Sequence, residues 1–116
     1  MAPSFYFILF FTSLRNKLAF TPDQRQEAIK LTDYFRNKGY DASLKVLRNG
    51  NQRSLVLMFH RLYPEDWIII KKDPYLRSKL YDGVIAAVYG IPAEFSGRFW
   101  YLGPHGEEPP GQPHYP

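Results

Sequence analysis

Hydrophobic positions follow no period at the start of this chain, then a helical one, then a strand-like one. Phe5 to Phe11 (FYFILFF) are apolar at every position. An antiparallel strand with one wet face alternates apolar and polar residues. A strand over Phe5–Thr12 therefore has both faces covered, either within the fold or by another chain. The run ends at Thr12, far short of the about 20 apolar residues a membrane-spanning helix needs. Arg15 and Lys17 follow it, no basic residue precedes it and no A-x-A site comes after, which argues against a cleaved secretory signal.

Ser13–Phe20 reads as a connecting loop, and TPDQRQEAIKLTDYFRNKGY as an amphipathic helix. Thr21 is a good N-cap, Pro22 suits the first helical position and Gln24 completes the spacing of a capping box. Ala28, Leu31 and Phe35 form its apolar stripe. Arg36 and Lys38 suit the C-terminal end of the dipole, and Gly39 is a natural left-handed stop.

The segment DASLKVLRNGNQRSLVLMFHRL predicts a β-hairpin turning on Asn49-Gly50, with strands near Ala42–Arg48 and Arg53–Arg61. Leu55, Leu57 and Phe59 face one way, and Val56, Met58 and His60 the other. Trp67–Lys71 (WIIIK) stays open: three isoleucines favour a strand, whereas Pro64 is placed to begin a short helix. Asp73-Pro74 is a cap-plus-proline start for a helix over Tyr75–Tyr89, with Leu76, Leu80, Val84, Ala87 and Val88 as its stripe and Gly90 as its end. Gly83 inside such a helix costs about 1 kcal/mol relative to Ala and marks a close helix–sheet contact. Arg98–Leu102 reads as a last strand.

The resulting order β-α-β-β-(β)-α-β predicts an α+β fold of the ferredoxin-like sandwich type: an antiparallel sheet of four or five strands with two helices on one face. That architecture hosts many unrelated functions. The domain is expected to span residues 1–103. Residues 104–116 (PHGEEPPGQPHYP), rich in proline and glycine, form a flexible tail. Pro110 and Pro113 there have the P-x-x-P spacing of a polyproline ligand.

Composition narrows the chemistry. The chain has 116 residues, and its nine Phe, nine Tyr and two Trp are enough to build a stable core in one small domain. There is no cysteine, which excludes disulfides, thiolate metal sites and cysteine nucleophiles and fits a cytoplasmic location. The net charge of +4 is concentrated at the front: residues 1–62 hold ten Lys/Arg against four Asp/Glu. A partner drawn by positive charge would meet the first half of the chain.

Four functional readings compete. A sheet that binds RNA carries stacking aromatics on its first and third strands. FYFILFF supplies the first, but RSLVLMFH lacks the glycine and paired aromatics expected of the third. What remains is a basic hairpin at residues 45–61, where Lys45, Arg48, Arg53 and Arg61, joined by Arg15 and Lys17, are candidates for phosphate contacts. The same charges also serve simply to protect a sheet edge. Metal chemistry has little support, because His60, His105 and His114 show no ligand spacing. Acid–base chemistry has one loose candidate, Glu65 and Asp66 with Lys71 and Lys72, although Asp73 is accounted for as a cap and Glu65-Asp66 as turn residues. No nucleophile elbow or phosphate-binding glycine loop occurs.

The fourth reading is protein interaction. Strands apolar on both faces leave apolar surface unaccounted for. Phe95, Arg98, Phe99, Trp100 and Tyr101 make a cluster of the residue types that dominate interface hot spots. The leading expectation is a non-enzymatic module that binds another protein or a second copy of itself as a homodimer through this aromatic sheet face. It needs no metal or small-molecule cofactor and no membrane. Nucleic-acid binding through the basic hairpin is the alternative.

Overall fold

The computed structural model describes residues 4–14, 20–49, 51–92 and 98–101, with side chains at 6–13, 20–48 and 51–90. Strand β1 (Ser4–Leu14) is followed by helix α1 (Pro22–Asn37) and the hairpin strands β2 (Asp41–Asn49) and β3 (Gln52–His60). Helices α2 (Pro64–Lys71) and α3 (Pro74–Tyr81) come next, then β4 (Ala87–Pro92) and the short β5 (Arg98–Tyr101). The sheet order is β4-β1-β3-β2-β5, and every neighbouring pair is antiparallel. The four longer strands make an open sheet, with β5 along the outer edge of β2. Strands β1 and β2 thus run parallel with β3 between them, joined by α1. Likewise β3 and β4 run parallel with β1 between them, joined by the α2–α3 pair.

Helix α1 forms as its sequence dictates. The Thr21 hydroxyl accepts from the Gln24 amide at 3.1 Å while the Gln24 side chain accepts from the Thr21 amide at 2.9 Å, a reciprocal capping box. Its buried stripe is Ala28, Leu31, Thr32 and Phe35, and Gly39 leaves the helix with φ +98°. The hairpin register pairs Asn49 with Gln52, so the two-residue connection is 50–51, one position later than Asn49-Gly50.

In the second half one open reading is decided and others are corrected. WIIIK is helical: Pro64 stands in the first turn with Glu65 and Asp66, where the dipole favours carboxylates, and Lys71 lies in the last turn. The α3 helix ends at Tyr81 rather than Tyr89, because Gly83 adopts φ +82° and stops it. Ala87 and Val88, expected on the helical stripe, lie instead in β4, and the strand continues through Gly90. A Cβ at Gly90 would meet the Tyr6 ring at 3.3 Å and Trp67 Nε1 at 3.4 Å, so this glycine is a packing residue rather than a helix stop. There are accordingly three described helices, not two.

The helices all pack on one face of the sheet. Leu31 and Phe35 of α1, Trp67 and Ile70 of α2 and Leu76 of α3 join Ile8, Phe10, Val46, Leu55, Leu57 and Phe59 in one core. Phe59 lies at its centre, 5.3 Å from Phe35 and 5.9 Å from Trp67, both edge-on. The opposite face carries a second buried cluster of Phe7, Leu47, Val56 and Met58, with Leu9 packed against it. Both faces of β3 are therefore buried, and β1 contributes buried residues to each side, Ile8 and Phe10 to one and Phe7 to the other.

Candidate functional site

An exposed surface on α2 and α3 combines apolar and cationic groups. Along α2, Trp67 and Ile70 recur at the spacing of one helix face and enter the core. That orientation turns the intervening isoleucines outward: Ile68 is 51% and Ile69 61% exposed, and Tyr63 at the N-cap is 68% exposed. Lys72 lies one turn beyond Ile68 on the same outer side. A shallow cleft of about 510 Å³ opens beside it, lined by Ile68, Lys71, Lys72 and Arg77. These three cations have no ion-pair partner among the described residues. Isolated exposed isoleucines are ordinary. Here Ile68 lines a cationic cleft and its neighbour Ile69 extends the exposed apolar area, which together form an amphipathic surface.

The platform beneath this surface is fixed to α1. Asp73 caps α3 by accepting from the amides of Tyr75 at 2.9 Å and Leu76 at 3.1 Å, and the Tyr34 hydroxyl donates to its two oxygens at 3.0 and 2.9 Å. Lys38 completes the group, 3.8 Å from Asp73 and 4.9 Å from the centre of the Tyr34 ring. Burial, and then the bond to Asp73, raise the Tyr34 pKa, whereas Lys38 is raised chiefly by its contact with Tyr34. Further along, Lys79 binds Glu27 of α1 at 3.1 Å, a contact that raises the lysine pKa. The Tyr34 and Tyr75 rings stand 4.6 Å apart across the same seam.

Of the residues singled out from sequence, only some are described, and those of the hairpin fall on different faces of the sheet. Arg98, Phe99, Trp100 and Tyr101 form β5, in register with Arg48, Leu47, Val46 and Lys45. Their side chains, and Phe95 entirely, lie outside the described residues, as do Arg15, Lys17, His105, His114 and the tail. The basic hairpin does not present one surface. Alternation along β2 and β3 puts Lys45 on the face away from the helices and Arg48 and Arg53 on the helical face. Lys45 and Arg53 are buried, at 6% and 8% exposure. Arg61 follows the far end of β3, with φ +55° and its Nε 3.9 Å from Asp41.

The loose carboxylate–lysine grouping is also separated. Glu65 and Asp66 occupy the first turn of α2 and Lys71 its last, about 8 Å away along the axis. Among the described residues no group of three His, Asp or Glu side chains is arranged to hold a metal, and no helix is long and apolar enough to cross a membrane. Comparison with protein-family models, curated proteins and solved structures finds no match.

The sequence reading missed the pairing of Ile68 and Ile69 with Lys71, Lys72 and Arg77. Its signal was present but conditional: once WIIIK is helical, the buried Trp67–Ile70 spacing forces the two isoleucines outward.

Proposed function

We propose that the protein is a non-enzymatic binding domain that docks an acidic, amphipathic segment of a partner protein on the α2–α3 surface. The observation that carries this is the exposure of Ile68 in the cleft it forms with Lys71, Lys72 and Arg77, next to the exposed Ile69. Covering the isoleucines would contribute about 1–2 kcal/mol each from removal of apolar area. The cations would select the partner and steer its approach. A helix with leucines on one face and glutamates on the other has the required chemistry.

A second copy of this chain suits the surface poorly. A two-fold dimer through it would bring each protomer's three cations against the partner's. The docking surface also moves from the aromatic strand expected from sequence to the helical layer. For the fold we infer a ferredoxin-like arrangement with β5 added at one edge, supported by the two interleaved crossovers of the order β4-β1-β3-β2.

Amide chemical-shift mapping with a leucine/glutamate amphipathic peptide tests the docking reading. Expected are shifts centred on residues 63–77, weakened by salt and lost in Ile68→Asp and in the Lys71→Glu/Lys72→Glu pair. Shifts centred elsewhere, or none, overturn it. Binding to anionic lipid vesicles without binding to the peptide also overturns it, by assigning the patch to a membrane surface.

A further inference from the structure

The two edges of the sheet are not alike. In the order β4-β1-β3-β2-β5 the outer strands are β4 and β5, and each pairs with a single described neighbour. Natural sheets keep such edges short or charged, because an open edge is a template for another strand. Strand β5 has four residues and begins with Arg98. Strand β4 (AVYGIP) has six and carries no charge at any position. Two consecutive residues of β4 are exposed, Tyr89 at 41% and Gly90. Successive strand residues face opposite sides of the sheet, so this edge is accessible from both. Tyr89 points away from the helices: it is the direct partner of Phe7, their rings are 5.2 Å apart, and Phe7 belongs to the cluster on that side. Gly90, on the side of Tyr6 and Trp67, puts no side chain in the way of an incoming strand.

A second copy of the chain fits this edge better than a separate peptide. A free peptide loses conformational entropy in becoming extended, whereas a second copy brings β4 already in that form. Antiparallel pairing of β4 with β4 is two-fold, so a single contact closes and covers both open edges. It sets no like charges opposite each other, because the strand has none. Symmetry also fixes the register. Pro92 has no amide hydrogen to donate to a ladder. An axis through Tyr89 leaves Pro92 outside, and pairs Val88 with Gly90 and Ala87 with Ile91 across the two copies. Tyr89 then stands opposite its own counterpart, and cross-strand aromatic pairs are favourable.

We propose that the outer edge of β4 is a homodimer interface, in which two copies pair Ala87–Ile91 antiparallel about Tyr89 and join their sheets. So short a ladder belongs with contacts that bury less than about 1,200 Å², where association is weak and reversible. The interface uses none of the residues lining the α2–α3 cleft, so the docking of a protein segment there stands or fails independently of it.

Sedimentation equilibrium of the full chain, from micromolar to millimolar protein, tests the edge. A monomer–dimer equilibrium is expected. Tyr89→Lys should weaken it about tenfold or more, because two ammonium groups would then face each other across the axis. The chain has no cysteine, so Tyr89→Cys carries the only thiol. Directly opposed strand residues have Cα atoms about 4.5–5.5 Å apart, within disulfide reach. Mild oxidation should therefore link Tyr89→Cys into a covalent dimer. It should do so much faster than for Tyr81→Cys, a position that is 93% exposed but lies in α3. The interface is overturned if the parent chain is monomeric throughout, if folded Tyr89→Lys associates as tightly as the parent, or if the two thiols cross-link equally fast. A monomeric chain that binds a synthetic Ala87–Pro92 peptide along β4 would assign the edge to an extended partner segment, and that too overturns the second copy.

Discussion

Asp73 carries more of the fold than its place in a short connection implies. One carboxylate caps α3, receives the Tyr34 hydroxyl from α1 and faces Lys38. Removing it with Asp73→Ala loses the cap and leaves the tyrosine hydroxyl without its acceptor. The expected cost is about 2–3 kcal/mol in denaturant unfolding. Asp73→Asn, which still caps, should cost less than half of that. His60 makes a different residue-scale prediction. It ends β3 opposite Asp41, and its pKa is lowered from 6.5, first by burial and then by Lys45, with Arg61 adding to the effect and Asp41 opposing it. The folded state resists protonating this imidazole while the unfolded chain does not. Its contribution is therefore intact above pH 6.5 and is lost as pH falls below that value. Stability of the parent minus that of His60→Gln, followed by urea unfolding, should decline from pH 6.5 downward; a flat difference would show that the imidazole titrates alike in both states. The Asp73 cap was legible in the sequence because its partners are two and three residues away. Its bond to Tyr34 was not, because that bond joins residues 39 apart in the chain.

At the scale of elements, legibility depended on whether the deciding interaction was local. Helix α1 could be read to its ends because its cap, stripe and stop all lie within its own residues. The hairpin alternation was equally readable, since Leu55, Leu57 and Phe59 enter one core and Val56 and Met58 the other. The stretch after α3 misled for a physical reason. Leu76, Leu80, Val84 and Val88 keep a helical spacing, yet pairing with β1 recruits Ala87–Pro92 as a strand. Gly83 is what separates the two readings, and it can be tested. If the helix continued through it, Gly83→Ala would stabilise by about 1 kcal/mol. At φ +82° the added methyl meets no neighbouring atom but forces a left-handed backbone. Gly83→Ala should therefore destabilise by about 1–2 kcal/mol, read as a lower urea midpoint with unchanged slope.

Over the whole molecule, α2 lies between the core and solvent, and the two sides of that one helix make opposite predictions. Ile70 is buried with Trp67 against the sheet, while Ile68 and Ile69 point away from it. Ile70→Ala should cost about 2–5 kcal/mol, because the methyl groups removed leave a cavity in a packed interior. Ile69→Asp should change stability by no more than about 0.5 kcal/mol, as surface substitutions usually do. That contrast makes the docking surface separable from folding. A protein that retained its melting temperature as Ile69→Asp but no longer bound the amphipathic peptide would show the isoleucine serving the partner. If Ile69→Asp instead unfolded the domain to the same degree as Ile70→Ala, the outer face of α2 would be part of the core. Nothing in the hydrophobic pattern of WIIIK alone separates these outcomes, since four of its five residues are apolar. The distinction exists only once Trp67 is placed against Tyr6 and Phe59, 5.1 and 5.9 Å away. Those contacts fix the rotation of the helix, and with it which isoleucines face solvent.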